Sequence, residues 1–250
     1  MPNNEKTVLV TRPAHQSAHL CELLTAKGFS PTCYPTIEIQ PIDSTPHITN
    51  TLQHCNDYDY LIFVSANAVL QADLLINHQW QKAHTSIVAI GPKTADTLNK
   101  IGLKPQIISA KPFDSERLLE QFPNEIKRTR SLIIKGEGGR AQLAEQLQKR
   151  GMKVNCIDVY KRALPTNYEV LKTKVPSYIT ITSQLALDNL LLMLPQQVIE
   201  LKQRCTFVVF SQRIAGYAES LGCQHILISQ EASDIGLISA ISDVKNDNSF

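Results

Sequence analysis

At 250 residues and 43% hydrophobic content, the chain is long enough for one large domain or two ordinary ones, and too apolar to be a disordered segment. Its formal net charge of +2 supplies no global field for nucleic acid or for an anionic membrane, so an anionic partner has to be met by local clusters. The start, MPNNEKTVLV, has no basic segment leading into an apolar one, and no apolar run approaches the ~20 residues of a membrane-spanning helix. The expectation is a cytoplasmic protein with no membrane segment.

In chain order, residues 7–10 read as a strand, and Pro13 sets up a helix to about residue 26 that stops at Lys27-Gly28. Residues 31–42 are extended, with Pro35 and Pro41 marking an edge strand or connector. Residues 43–56 are polar, with room for a short helix around 48–54. Residues 59–64 form a buried strand, and Ser65-Ala66-Asn67 leads into a helix through Val69, Leu70, Leu74 and Leu75. A strand at 87–90 is followed by Gly91-Pro92-Lys93-Thr94, which opens a helix ending at Ile101-Gly102. A short strand at 106–108, a helix begun by Ser115-Glu116 and a polar connector at 123–130 complete the first half.

The order then repeats. Leu132-Ile133-Ile134 forms an apolar run ending in Lys135, and Gly136, Gly138 and Gly139 follow it. Leu143 and Leu147 share a helix face that Arg150-Gly151 closes, and residues 154–160 are the next strand. The two helix-ending glycines are 151 − 28 = 123 positions apart. Strands at 178–182, 206–210 and 225–228 match those at 59–64, 87–90 and 106–108. Ser233-Asp234 begins a last helix as Ser115 does, and residues 245–250 are expected to fray. Roughly five strands per copy, alternating with helices, predict parallel sheets covered on both faces, hence two doubly wound domains. In such sheets ligands bind beyond the carboxyl ends of the strands.

The turns at those ends are Thr11-Arg12, Ser65-Ala66-Asn67, Gly91 to Thr94, Lys135 to Arg140, Ser183-Gln184 and Ser211 to Arg213. They are small, hydroxylated or basic. Helix N-termini carry unpaired N–H groups and the positive end of the dipole, so several facing one cleft would receive a multiply charged anion. Arg12, Arg140 and Arg213 could add bidentate contacts to carboxylates. Taken singly, Ser65, Ser115, Ser183 and Ser233 also read simply as helix caps. The glycine loop at 136–140 lacks both G-x-G-x-x-G and the Lys-Ser/Thr pair of a nucleotide loop, and no Ser-His-Asp order or G-x-S-x-G elbow is present. The six cysteines, at 21, 33, 55, 156, 205 and 223, form no CxxC pair and read as buried free thiols. Tyr160, a phenol at a strand end followed by Lys161-Arg162, is a candidate proton donor or anchor. A half-buried strand tyrosine with its hydroxyl at the surface is the plainer alternative.

V-T-R-P near the start, D-Y-L-I-F-V-S-A-N-A-V at 59–69, A-I-G-P-K-T-A at 89–95, I-K-G-E-G-G-R at 134–140, V-Y-K-R at 159–162 and I-T-S at 181–183 together resemble the uroporphyrinogen-III synthase family, over nearly the whole chain. The resemblance implies two flavodoxin-like α/β domains joined by a two-stranded connection: a discontinuous first domain, 1–37 plus 164–250, and a second, 38–163, with crossing strands at about 33–42 and 157–165. It implies a lyase that cyclises the linear tetrapyrrole hydroxymethylbilane to uroporphyrinogen III, losing water and inverting ring D, with no cofactor and no metal. The family's suspected proton donor maps onto Tyr160, and substrate-site hydroxyls map onto Thr94 and Ser183. Ile214 stands where the second-copy G-x-x-T-A pattern has threonine, leaving Ser211 or Arg213 as substitutes. Arg12, Ser65, Ala66, Asn67, Gly136, Gly138, Arg140 and Gln184 complete the expected substrate-binding set. Transient contact with the preceding pathway enzyme is a further expectation. Two rival readings are a two-domain binding protein for a polyanionic ligand and a nucleotide-sugar transferase. The first goes with export, and the second needs a stronger nucleotide loop.

Overall fold

A computed structural model describes residues 6–80, 85–139, 141–168 and 175–247. The chain divides into two compact units, Met1–Glu38 with Ala163–Phe250 and Ile39–Arg162. It begins in the first unit with β1 (Thr7–Val10), a single 3-10 turn at Ala14–Gln16, α1 (Ala18–Ala26) and β2 (Ser30–Cys33). Then come β3 (Glu38–Pro41), α2 (Pro46–Gln53), β4 (Tyr60–Phe63), α3 (Ala66–Leu75), β5 (Ser86–Ala89), α4 (Pro92–Lys100), β6 (Ile107–Ile108), α5 (Ser115–Leu119), β7 (Arg130–Gly136), α6 (Gln142–Lys149) and β8 (Lys153–Ala163). The remainder is β9 (Tyr178–Ile181), α7 (Gln184–Met193), α8 (Val198–Arg204), β10 (Thr206–Val209), α9 (Gln212–Ser220), β11 (His225–Ile228) and α10 (Asp234–Asp247).

One sheet has the order β11-β10-β9-β1-β2 and the other β3-β8-β7-β4-β5-β6. Pairings run parallel from β2 to β11 in the first and from β8 to β6 in the second. The sequence repeat is therefore exchanged. Each sheet takes its first two repeat strands from one copy (β1-β2 or β7-β8) and its last three from the other (β9-β10-β11 or β4-β5-β6). Strand order reverses between β1 and β9 in one sheet and between β7 and β4 in the other, the two places where a doubly wound sheet opens a crevice at its carboxyl edge.

Alternation of side chains puts each sheet between two apolar layers. In the first unit Leu9, Ile179, Phe207 and Val209 face Leu187 and Leu190 of α7 and Ala215 and Ala218 of α9. Val8, Val10 and Val208 face Leu20 and Leu24 of α1 and Leu237 and Ile241 of α10. In the second unit Leu61, Phe63, Leu132 and Ile134 pack on α3 and α4, and Ile62 and Ile133 on α5 and α6. Leu143 and Leu147 supply the buried stripe of α6, as their spacing requires. Gly28 and Gly151 end α1 and α6 at φ +76° and +93°, a backbone region that glycine enters without a Cβ clash.

Several local expectations change. Ser65, Ser183 and Ser233 do cap helices, accepting from the N–H groups of Ala68, Ala186 and Gly236. Ser115 does not; Asp114 is the cap of α5, its Oδ1 accepting from the Arg117 N–H at 2.9 Å. A carboxylate one residue upstream offers the stronger acceptor to the positive helix end. Helix α8 has no counterpart in the sequence reading, because one buried leucine, Leu201, is too little to mark a period. Helix α10 runs to Asp247, so residues 245–247 are helical rather than frayed, and 248–250 lie outside the described residues.

Candidate functional site

In the second unit, the strand β8 carries an irregularity at its carboxyl end. Its register against β7 runs evenly from Arg130↔Lys153 to Lys135↔Asp158 and then shifts, so that Gly136 faces Tyr160. Strict alternation would send Val159 and Tyr160 to opposite faces. The shift brings both into the same apolar layer as Ile157, as a bulge does when it re-aims a side chain. Tyr160 is consequently 1% exposed, and its ring packs against the α-carbon of Gly136, where a Cβ would come within 2.4 Å of Cζ. Glycine at 136 is required by this close approach.

The Tyr160 hydroxyl lies 3.2 Å from Ser65 Oγ, the residue that follows β4 and caps α3. Arg162 Nη2 donates to the same hydroxyl at 3.0 Å, and its guanidinium carbon sits 5.3 Å from the ring centroid. Arg162 lies two residues beyond Tyr160 on one strand, so both share a face. Lys135 Nζ, on the neighbouring strand position before Gly136, donates to Asp158 Oδ1 at 2.6 Å. The group lies at the carboxyl edge of the sheet, where strand order reverses between β4 and β7.

Of the residues singled out in the sequence, Ser65, Gly136 and Tyr160 are thus brought into contact. The half-buried Ala66 and Asn67 form the first turn of α3 behind Ser65, and Thr94 is buried in the first turn of α4. Gly138 is exposed at φ +69° in the turn after β7. Arg140 lies outside the described residues. In the first unit Ser183 caps α7 and Gln184 opens it. Ser211 precedes α9, its carbonyl accepting from Ile214 and Ala215, and Arg213 is exposed in the first turn. Arg12 is held elsewhere. Its guanidinium donates to Asp234 at the start of α10, the ion pair is largely buried, and it stacks 4.9 Å from the Phe210 ring centre. Asp234 also takes His19 Nδ1 at 2.8 Å.

Tyr160 is the deeply buried, fully partnered phenol of the second unit, not the half-buried surface one. Arg162 was expected only as a cation following Tyr160; its bond to the hydroxyl comes with the continuation of β8 to Ala163. The Arg12–Asp234 pair, 222 positions apart, left no local sequence signal. Tyr34, just after β2, is a different case: buried, with no hydrogen-bond partner on its hydroxyl among the described residues, and with its pKa pushed up to about 12 by burial and then by Tyr168.

Comparison with known proteins adds an independent line. The family model described as uroporphyrinogen-III synthase HemD matches residues 18–239. The chain is 32% identical to the uroporphyrinogen-III synthase of Synechococcus elongatus over 90% of its own length and 86% of the relative's. It is 27% identical to that of Escherichia coli over 94% and 99%. In fold it resembles the crystal structure of a mutant uroporphyrinogen III synthase from Thermus thermophilus, with a TM-score of 0.63 at 13% identity covering 97% of this chain and 100% of the other. A structure of the Helicobacter pylori protein gives 0.60 at 18% identity, covering 96% and 99%.

Proposed function

The chain belongs to the uroporphyrinogen-III synthase family, and we propose that it cyclises hydroxymethylbilane to uroporphyrinogen III, losing water and inverting ring D. The observation that carries this reading is the buried Tyr160 hydroxyl at the sheet's switch point, bonded to Ser65 and Arg162, in a chain whose length is matched by the family. The reaction is a dehydration with no change of oxidation state. It calls for an acid at the departing hydroxyl and for geometry that keeps the spontaneous, non-inverted closure from winning. In this reading the proton for that step originates at Tyr160. After the hydroxyl leaves, the substituted carbon of ring D attacks the azafulvenium-like electrophile, and the spiro product rearranges.

The eight substrate carboxylates are received by helix N-termini and by cations. In this reading each unit by itself offers helix N–H groups to carboxylates, the second at the first turns of α3 and α4 with Thr94, and the first at those of α7 and α9 with Ser183, Ser211 and Arg213. Arg12 acts at one remove, since its guanidinium already belongs to Asp234. The functional domains are 1–37 with 164–250 and 38–163; the compact-unit boundaries at Glu38/Ile39 and Arg162/Ala163 support this division. We place the enzyme in the cytoplasm, receiving its short-lived substrate by transient contact with the enzyme that makes it. No described helix is long and apolar enough to cross a membrane. The test is to mix the protein with freshly prepared hydroxymethylbilane and identify the porphyrin isomer after oxidation. Isomer III is expected; isomer I at the spontaneous rate refutes the reading.

A further inference from the structure

A phenol with 1% exposure cannot itself meet a substrate hydroxyl without moving, which raises the question of where its proton goes. The hydrogen bonds answer it by direction. Arginine has N–H donors and no acceptor, so the 3.0 Å bond from Arg162 Nη2 makes the phenol oxygen an acceptor there. The phenolic hydrogen needs its own acceptor, and among the described residues the one within reach is Ser65 Oγ at 3.2 Å. Ser65 Oγ also accepts the Ala68 N–H at 3.0 Å. With both lone pairs of Ser65 taken, its own hydrogen points away from Tyr160 and from the helix. Ser65 is half-buried, unlike the tyrosine behind it, so this hydrogen is the one that can reach a ligand.

We propose that Ser65 is the catalytic residue that hands the proton to the departing hydroxyl of hydroxymethylbilane, and that Tyr160 refills it from behind. This rests on the function proposed above. In the step, the Ser65 O–H bond breaks as a new O–H bond forms on the substrate's terminal hydroxyl, and the C–O bond breaks to release water. The Tyr160 proton moves to the Ser65 oxygen in the same event, leaving a phenolate beside the Arg162 guanidinium. The proton that ring D loses when its aromaticity is restored returns along the same path. Charge and protons balance, and no co-reactant is needed. Arg162 is a positioning residue: it holds the phenol in the orientation that makes Ser65 the outlet.

The test compares Ser65→Ala, Tyr160→Phe and the double variant on hydroxymethylbilane. General acid catalysis is typically worth about 100-fold or more, so each single variant is expected to lose about that factor in kcat, with KM within about threefold of wild type. Groups acting as one unit are not additive, so the double variant is expected to be no slower than either single. Ser65→Thr keeps hydroxyl and cap and is expected to recover most of the rate. Ser65→Gly keeps a favourable cap residue without the hydroxyl; it is expected to be as slow as Ser65→Ala, and it separates loss of the proton outlet from loss of the helix cap. In heavy water the wild-type proton inventory is expected to bow, as two protons move together, and to become linear in Tyr160→Phe. Ser65→Ala turning over at the wild-type rate while Tyr160→Phe is slow overturns the relay and leaves the proposed function standing. Losses that multiply in the double variant also overturn it. Wild type giving only isomer I sinks both.

Discussion

A methyl group placed on Gly136 would lie 2.4 Å from Cζ of Tyr160, 2.7 Å from Cε2 and 2.9 Å from Cε1. Carbon atoms prefer about 3.5–4.0 Å, so Gly136→Ala forces the ring aside by about 1 Å. The backbone at 136 is not among the positive-φ glycines, so the steric conflict with the ring is the whole effect. Overpacking of this kind costs about 1–3 kcal/mol. The displacement also stretches the 3.0 and 3.2 Å bonds to Arg162 and Ser65 past hydrogen-bonding distance, and a loss of at least about tenfold in kcat is expected. Trp80, the single tryptophan, packs edge-on against Phe63 with centroids 5.8 Å apart and reports on the second unit alone. Its fluorescence during urea unfolding gives the stability change. In a Tyr160→Ala background the same Gly136→Ala change should cost nearly nothing, because the ring it strikes is gone. An unfolding midpoint and a kcat for Gly136→Ala that both match wild type would refute the close approach and, with it, the bulge that produces it.

Tyr34→Phe removes a buried hydroxyl that has no partner among the described residues, and is expected to leave stability unchanged or raise it by about 1 kcal/mol in urea unfolding; a comparable loss would mean the hydroxyl is satisfied. Arg12→Ala uncovers the carboxylate of Asp234 and is expected to cost about 3 kcal/mol, the low end for a broken buried pair because His19 remains, whereas exposed Arg213→Ala should leave the midpoint alone and raise KM. If both arginines behave alike in the unfolding assay, the assignment of one to structure and one to substrate is wrong. Burial raises the thiol of Cys205 from 9.0 to about 12 and that of Cys223 to about 11, so the folded first unit keeps protons that the unfolded chain releases. Stability from these groups is full below pH 9 and is lost as pH climbs from 9 toward 12. Circular dichroism should show the urea midpoint falling across that window, and Cys205→Ala should make the fall shallower.

Much of the architecture was present in local sequence. Apolar runs of four, glycine stops after Lys27 and Arg150, and capping serines at 65, 183 and 233 are decided by neighbours within a few residues, and so they can be read along the chain. The repeat was visible for the same reason, since a copied unit keeps its punctuation. Asp114 displaced Ser115 as a cap, and α8 went unread, because there the local signals were close to balanced or too sparse.

The site divided along the same line. The sequence alone determined which residue types stand at the strand ends and that two cations, Lys161 and Arg162, follow Tyr160. Three outcomes came only from tertiary structure: that Tyr160 lies over Gly136, that its hydroxyl finds Ser65 95 positions away, and that Arg12 is claimed by Asp234. Each depends on a register shift or a pairing between distant strands and helices. Such contacts are fixed by the packing of whole layers, and no window of neighbouring residues contains them.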